Sequence, residues 1–281
     1  MKITSPTELQ RFLNEHGLAA KKSASQNFLI DGNIVRKILM EAQITENDIV
    51  LEIGPGPGAL TEALLETGCE VIAIEMDEKL APLLKRFPGS DKLSIISADF
   101  LEFPLQEHME KILTSGKKAK VVANLPYHIT TPILTKLIPL HRLFSDLIIM
   151  VQKEVADRFV AQKGTKDYSS FTIFLQFFSQ VSYGFTVEPS CFHPRPSIQS
   201  AIVHLKLRPP PQIANPDSFF IMLRTAFGQR RKMMRASLKK LFPSALVENS
   251  LKQMEKDPLL RPEQLSLDEF IQLYEILSSH V

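Results

Sequence analysis

The feature that most constrains the fold is an alternation, between residues 48 and 152, of short β-rich runs with helix-like segments. Such alternation is typical of parallel strands joined by right-handed crossovers. Each run is nearly continuously apolar, as expected for strands that helices cover on both faces. The pattern predicts strands at residues 49–53, 70–74, 93–97, 119–123 and 147–151. The sequence therefore predicts an α/β, Rossmann-like domain.

The remainder of the chain predicts a second, smaller domain. Two later runs, 181–187 and 201–207, are interpreted as an antiparallel pair that closes the sheet. Three consecutive prolines at 209–211 cannot continue a strand or a helix interior, and they indicate a linker. Beyond them the periodicity is helical only, over 218–227, 231–241, 245–253 and 267–278. We predict one domain at 1–208, with an N-terminal extension, and a small all-α domain at 209–281.

The first predicted strand runs directly into a loop in which three glycines alternate with other residues. These are Gly54, Gly56 and Gly58, and Glu52 lies two positions before the first of them. Glycines after a strand let a ligand touch the backbone, and the spacing also satisfies the dinucleotide-binding fingerprint. The position of Glu52, the alternation and the prolines that stiffen the loop favour S-adenosylmethionine.

Carboxylates follow the next two predicted strands. Glu75 comes directly after the second strand, where it can accept hydrogen bonds from both ribose hydroxyls of either NAD or S-adenosylmethionine. Asp99 follows the third strand, where it would accept a hydrogen bond from the adenine amino group of the cofactor. The alternative for Asp99 is a side chain that caps a turn. Met76 and Phe100, which follow the two carboxylates, belong to the same predicted cofactor site.

The tetrapeptide Asn124-Leu125-Pro126-Tyr127 follows the fourth strand and combines an amide, a forced bend and an aromatic ring. The amine of adenine is a poor nucleophile, and two acceptors, the Asn124 side-chain oxygen and the Leu125 carbonyl, would aim its lone pair at a methyl group. Pro126 biases Leu125 away from the helical region, and Tyr127 offers a stacking face. No general base is required before attack. Phe192 is a candidate second ring, with a core position as the alternative.

Basic residues concentrate in the predicted C-terminal domain. Between positions 224 and 240 seven basic residues occur with no acidic one: Arg224, Arg230, Arg231, Lys232, Arg235, Lys239 and Lys240. A phosphate backbone is the natural partner of such a cluster, and its binding weakens with salt because counterions are released. The alternative is a solvated helix face. A structured RNA would be recognised by shape, with the target bases splayed out.

Other features exclude several classes of protein. The apolar stretches, such as 147–151, are far too short to cross a bilayer, and the amino terminus has no apolar region typical of a signal peptide. Cys69 and Cys191 lie far apart, so the sequence predicts neither a disulfide framework nor a metal site. These features favour a cytoplasmic protein without a membrane partner.

Over almost its whole length the chain resembles the rRNA adenine N6,N6-dimethyltransferase family. The family's motifs occur in order at 25–29 (Ser-Gln-Asn-Phe-Leu), 52–58, 124–127, 152–156 (Gln-Lys-Glu-Val-Ala) and 229–232 (Gln-Arg-Arg-Lys). The resemblance implies a class I S-adenosylmethionine-dependent methyltransferase with a small all-α C-terminal domain. The family's cofactor contacts carry over onto Asn27, Leu29, Gly54, Glu75, Asp99 and Asn124.

The resemblance also implies an activity and a partner. Such proteins dimethylate two adjacent adenosines in the hairpin near the 3′ end of 16S, small-subunit rRNA, and contribute to small-subunit biogenesis. The implied partner is the immature small ribosomal subunit, bound by a monomer. The chain departs from the usual pattern at Ser25, His128, Ser197 and Gln199.

Other functions fit parts of the sequence. A 23S rRNA or DNA adenine-N6 methyltransferase would use the same chemistry. A ribosome-assembly or transcription factor would keep the fold for binding nucleic acid without needing catalysis. An NAD-dependent reductase would use the glycine loop, but the sequence offers no evident acid or base for hydride transfer.

Overall fold

The structure is a computed structural model that describes residues 3, 5–19, 26–114, 116–229 and 231–280. Within these residues the strands are β1 (Phe28–Leu29), β2 (Ile49–Ile53), β3 (Glu70–Glu75), β4 (Leu93–Ser97), β5 (Ala119–Asn124), β6 (Phe144–Gln152), β7 (Ser179–Val187), β8 (Phe192–His193) and β9 (Ser200–Leu207).

The helices begin before the first strand and dominate the end of the chain. They are α1 (Pro6–Glu15), α2 (Gly32–Ala42), α3 (Ala59–Glu66), α4 (Leu105–Ile112), α5 (Thr130–Leu137), α6 (Lys153–Phe159), α7 (Ser170–Phe178), α8 (Pro216–Phe227), α9 (Met234–Ser237), α10 (Ser244–Gln253) and α11 (Leu267–Ser278). In the described part of the chain, none of them has the length and apolar character that a bilayer span requires.

One sheet of seven strands, in the order β4-β3-β2-β5-β6-β9-β7, organises the described residues of the first unit. The pairs formed by β2 with β3 and β5, by β3 with β4, and by β5 with β6 are all parallel. β9 runs antiparallel to β6, and β7 lies at the edge beside β9. The predicted α/β class is confirmed by this sheet.

The central strands of the sheet are apolar on both faces. Every residue of β2 is buried, and a core cluster joins Val50 and Val122 of the sheet with Val35 and Ile38 of α2 and Leu64 of α3. Burial on both faces requires the crossovers to cover the sheet with helices. After β2 the chain adds β3 and β4 on one side, then returns to add β5 and β6 on the other. The strand order therefore reverses between β2 and β5.

The chain divides into two compact units whose boundaries differ from the predicted domains. One comprises Met1–Ala156 and Gln180–Pro209, and the other Asp157–Ser179 and Pro210–Val281. The first unit ends at Pro209, and α7, which lies within the predicted first domain, groups with the C-terminal helices. The reason is aromatic packing, because Phe177 of α7 lies 5.6 Å from Phe219 and 5.1 Å from Phe220 of α8, between ring centroids.

The helix predicted at 231–241 is shorter in the structure. Only α9 forms there, and the chain turns before Pro243. The amide of Met234 donates a hydrogen bond to the carbonyl of Leu260, 2.8 Å away, so that amide has a partner outside the helix. At the other end, a residue that precedes proline avoids the helical region, which disfavours helix at Phe242.

Candidate active site

A cavity of about 450 Å³ opens at the carboxyl ends of the parallel strands. In open α/β sheets ligands bind at this edge, where the strand order reverses. The cavity is lined by segments that follow β2, β3, β4 and β5 and by the residues just before β1. It contains these predicted site residues: Asn27, Gly54, Gly56, Glu75, Met76, Asp99, Phe100, Asn124, Leu125, Pro126 and Tyr127.

The glycine loop follows β2 and leads into α3. Gly54, Gly56 and Gly58 have φ angles of 64°, 56° and 91°, in the region that favours glycine. Space is also restricted, since a Cβ added at Gly56 would lie 3.0 Å from the Phe28 ring, and one added at Gly58 would lie 2.5 Å from the Phe87 ring. The backbone conformation therefore favours glycine at all three positions, and close neighbours add to this requirement at Gly56 and Gly58.

Glu75 holds the glycine loop and faces the cavity. One carboxylate oxygen accepts a hydrogen bond from the Gly56 amide at 2.8 Å, and the other accepts one from the Asp77 amide at 2.8 Å. Burial raises the pKa of Glu75, although these hydrogen bonds oppose the rise. Each carboxylate oxygen can accept a further hydrogen bond. The geometry fits the ribose hydroxyls of a nucleoside cofactor.

Lys136 of α5 shapes the part of the cavity beside Asp99. Its ammonium donates to three backbone carbonyls, of Phe100 at 2.8 Å, Leu101 at 2.7 Å and Phe103 at 2.6 Å. Asp99 accepts a hydrogen bond from the Leu101 amide at 2.8 Å, so it closes a turn and also lines the cavity. Lys136 was missed in the sequence, because no spacing relates a lysine on one helix to carbonyls more than thirty residues earlier.

Asn124, the last residue of β5, presents its side chain to the cavity. Its Nδ2 donates a hydrogen bond to the carbonyl of Asn27 at 3.1 Å, which orients the amide and leaves Oδ1 available as an acceptor. The peptide between Asn124 and Leu125 is held as well, because the Leu125 amide donates to the Met150 carbonyl at 3.1 Å. The two acceptors proposed for an amine thus belong to a fixed segment.

Tyr127 is half-buried at the same cavity. Its hydroxyl lies 2.6 Å from the Oγ of Ser200, the first residue of β9. Burial raises the pKa of Tyr127, while the hydrogen bond with Ser200 lowers it. Ser200 is fully buried, so it anchors one edge of the ring. No local pattern in the sequence indicates this pair, because only the pairing of β9 with the sheet brings the two residues together.

Four predicted site residues lie away from the cavity surface. Leu29 and Phe192 are paired through the two-stranded β1–β8 ladder, and they belong to the hydrophobic core at 4% and 3% exposure. Phe192 is therefore a core residue here and not a second stacking ring, because its apolar side chain packs in a core cluster with Leu29 and Ile202. Gly58 starts α3 at the far end of the loop. Glu52 is buried beneath the loop and accepts a hydrogen bond from the Thr61 hydroxyl at 2.6 Å.

The predicted RNA-binding residues belong to the second unit. Those whose side chains are exposed are Arg224, Arg231, Lys232, Lys239 and Lys240. Arg235 differs, because its guanidinium donates to Glu248 at 2.8 Å, an acidic partner that it shares with Lys252. The sequence segment 224–240 contains no acidic residue, so it does not indicate this partner, which lies on α10. Arg230 lies outside the described residues.

The buried Glu52 predicts a pH-dependent stability. Burial raises its pKa from 4.5 to about 8, against the hydrogen bond from Thr61 and with a smaller contribution from the charge of Glu75. The folded protein keeps this proton where the unfolded chain releases it, so the stabilisation is complete below the unfolded pKa and is lost as pH rises through about 8. We expect Glu52→Gln to reduce the loss of unfolding free energy between about pH 5 and about pH 8.

Urea denaturation at several pH values measures this effect. The exposed Glu107 on α4 provides a matched control, and Glu107→Gln should leave the pH profile of the wild type unchanged. Parallel pH profiles for the wild type and Glu52→Gln would show that Glu52 does not hold a proton in the folded protein.

The crowding at Gly58 predicts a loss of cofactor binding on substitution. In Gly58→Ala the new methyl group would strike the Phe87 ring, in addition to the cost of about 1–3 kcal/mol for an unfavourable backbone conformation. We expect binding of S-adenosylmethionine, measured by calorimetry, to weaken by about tenfold or more as the loop shifts. Gly164→Ala is the control, since Gly164 has a φ of 87° with nothing within 4 Å of an added Cβ. Equal affinities in the two variants would contradict this expectation.

Comparison with known proteins identifies relatives of this chain. Residues 17–279 match the sequence model described as ribosomal RNA adenine dimethylase. A protein of Protochlamydia amoebophila, named ribosomal RNA small subunit methyltransferase A, is 52% identical over 280 residues, with 99% of each chain covered. The protein of the same name from Chlamydia caviae is 46% identical over 283 residues, with 100% of each chain covered.

Solved structures agree with the sequence relatives. A dimethyladenosine transferase from Plasmodium falciparum superposes with a TM-score of 0.74 at 27% identity, over 90% of this chain and 98% of that chain. The 23S rRNA methyltransferase ErmE superposes with a TM-score of 0.67 at 25% identity, over 90% of this chain and 100% of the other. The predicted methyltransferase class and its donor, S-adenosylmethionine, are confirmed. The chain belongs to the ribosomal RNA adenine dimethylase family.

Proposed function

We propose that this chain dimethylates N6 of two adjacent adenosines in the 3′-terminal hairpin of small-subunit rRNA. Its similarity, at 52% and 46% identity over nearly the whole length, to proteins named ribosomal RNA small subunit methyltransferase A supports this substrate. The observation that carries the chemistry is the hydrogen bond from Asn124 to the carbonyl of Asn27, which leaves an amide oxygen available at the cavity.

The donor site fits S-adenosylmethionine on the structure's own contacts. Glu75 keeps acceptor capacity for ribose hydroxyls, Asp99 lines the region proposed for the adenine, and the glycine loop brings backbone close to the cavity. When bound, S-adenosylmethionine supplies a methyl group on a positively charged sulfur. The amine nitrogen bonds to the methyl carbon as the carbon–sulfur bond breaks, and the sulfur leaves as a neutral thioether.

The chain's own residues act on the target amine. Asn124 Oδ1 and the Leu125 carbonyl each accept one N6 hydrogen, so the nitrogen lone pair points at the methyl carbon and the positive charge that develops on nitrogen is stabilised. Tyr127, held at its hydroxyl by Ser200, stacks against the base. The proton leaves the methylated nitrogen to water. The monomethylated amine keeps one N–H, so one of the two acceptors holds it for the second transfer.

The second unit supplies the charge for RNA binding. Among the described residues, no acidic side chain pairs with the five exposed basic residues of the cluster, in contrast to Arg235. We propose that they contact phosphates of the immature small subunit. We further propose that the protein acts as a monomer in the cytoplasm, where this substrate is assembled.

One observation favours a second candidate function. The likeness to ErmE, at 25% identity and a TM-score of 0.67, is compatible with methylation of 23S rRNA by the same cavity. DNA adenine methylation would also use the same groups. Detection of methylated adenosine only in 23S rRNA or in DNA would therefore replace the small subunit as the substrate.

The central prediction concerns Asn124→Ala. Removal of one of the two acceptors should lower kcat by about 10²–10³, the effect of deleting one preorganised hydrogen-bonding group in an active site. The assay uses labelled S-adenosylmethionine with unmethylated small subunits, followed by nucleoside analysis. Asn47→Ala, at an exposed position before β2, is the matched control and should retain wild-type activity.

The outcomes of this assay separate the functions. Dimethyladenosine formed by Asn124→Ala at the wild-type rate would overturn the role of Asn124. No dimethyladenosine with the wild-type protein would overturn the proposed substrate. If Asn124→Ala loses methylation yet supports normal small-subunit assembly in cells, a binding role is the primary one.

The basic cluster makes a separate prediction. We expect Lys239→Ala combined with Lys240→Ala to raise KM for small subunits and to reduce the slope of log affinity against log salt by about two, one for each lost phosphate contact. The adjacent exposed pair Lys117 and Lys118 provides a matched control, since the double alanine variant removes the same charge from the other unit. Equal salt slopes for the two double variants would exclude the cluster from the RNA interface.

A further inference from the structure

Arg86 lies in an aromatic stack that joins α1 to the glycine loop. It ends a short 3₁₀ helix, Ala81–Arg86, that follows β3. Its guanidinium carbon is 4.3 Å from the ring centroid of Phe12 on α1 and 4.0 Å from that of Phe87. An arginine between two aromatic faces gains a cation–π contact on each side. We refer to Phe12, Arg86 and Phe87 as the arginine stack.

The arginine stack touches the cofactor loop at two points. One terminal nitrogen of Arg86 donates a hydrogen bond to the carbonyl of Pro57, which lies between the second and third glycines. The other donates to the carbonyl of Leu83 at 2.7 Å, which fixes the plane of the guanidinium. The Phe87 ring occupies the space beside Gly58, 2.5 Å from the position of an added Cβ. Hydrogen bonding and packing therefore restrain the same stretch of loop.

Helix α1 also supports the glycine loop at Gly56. Phe12, together with Leu9 and Leu13, packs in a cluster that contains Phe28. The Phe28 ring lies 3.0 Å from the position of a Cβ at Gly56, and the residue before it, Asn27, receives the hydrogen bond from Asn124. Helix α1 is thus connected to both Gly56 and Gly58 through aromatic rings, without lining the cavity itself.

The position of Arg86 is costly, which argues against incidental packing. Burial lowers the pKa of Arg86 to about 10, with the charge of Glu62 opposing this, so the side chain is charged at neutral pH. Its Nε is buried and has no hydrogen-bond partner among the described residues. A buried donor without a hydrogen-bond partner destabilises a protein. The cost of burying an arginine here has to be offset by the contacts that its side chain makes.

We propose that Arg86 is a positioning residue for S-adenosylmethionine, and that α1 acts through the arginine stack as a clasp on the glycine loop. The clasp holds the Pro57 carbonyl and the two tight glycines in the conformation that accepts the methyl donor. The inference depends on the family's cofactor and not on which nucleic acid is methylated. If this is correct, substitution of Arg86 weakens binding of the methyl donor and leaves the affinity for RNA unchanged.

The test compares Arg86→Met and Arg86→Lys with the wild-type full-length protein. Arg86→Met removes the charge and both hydrogen bonds, and it should raise the Kd for S-adenosylmethionine, measured by calorimetry without RNA, by about tenfold or more. Arg86→Lys keeps the charge but not the planar fork, so its Kd should fall between those of the wild type and Arg86→Met. KM for small subunits at saturating donor should stay at the wild-type value.

Arg11→Met is the matched control, because Arg11 lies on α1, is 71% exposed and, among the described residues, forms an ion pair only with Glu15. It should bind the donor with wild-type affinity. Thermal melting establishes which variants are folded at the temperature of the titration. If Arg86→Met does not fold, Phe12→Leu, which removes one ring of the stack and keeps its apolar volume, should show the same selective rise in Kd.

Two results would overturn the clasp. One is a folded Arg86→Met or Phe12→Leu protein that binds S-adenosylmethionine as tightly as the wild type, which would make the stack purely structural. The other is an equal rise in donor Kd and in KM for small subunits, which would indicate a general loss of structure. Because the titration contains no RNA, a wild-type protein that binds the donor but does not methylate small subunits refutes the proposed substrate alone.

Discussion

The hydrogen bond from the Gly56 amide to Glu75 is the contact on which the cofactor side of the molecule depends. It forms because β2 and β3 run in parallel with Ile53 beside Ile74, so the loop after one strand meets the last residue of its neighbour. The same parallel order brings the ends of β4 and β5, with Asp99 and Asn124, to this edge. Sheet pairing thus converts residues far apart in sequence into one cavity.

Much of this arrangement could be predicted from the sequence. Parallel strands covered on both faces appear as short apolar runs, and their carboxyl ends meet at one edge, so any polar residue that follows a run is a candidate for the site. Glu75, Asp99 and Asn124 were identified in this way, and all three line the cavity. The glycines were identified by their spacing, which reflects a local requirement for positive φ.

The remainder depends on packing between distant segments, which leaves no local pattern. Lys136 supports the Asp99 turn from another helix, and Arg86 supports the glycine loop from a 3₁₀ turn. Phe192 stands among prolines that suggest an exposed segment, yet the short ladder with β1 carries its ring into the core. The charge of Arg235 looked free because Glu248, its partner, lies on the next helix. In each case the contacting residue is distant in the sequence, and only the tertiary fold brings it close.

The discontinuity of the second unit limits how the chain can be divided. Because α7 belongs with the helices that follow residue 209, a fragment that ends there would keep α7 but lose the phenylalanines of α8. The buried rings of Phe177 and Phe178 would then face water and favour aggregation. A functional dissection of the protein therefore has to excise two segments of the chain together and rejoin the sheet, since truncation at the proline linker leaves neither unit whole.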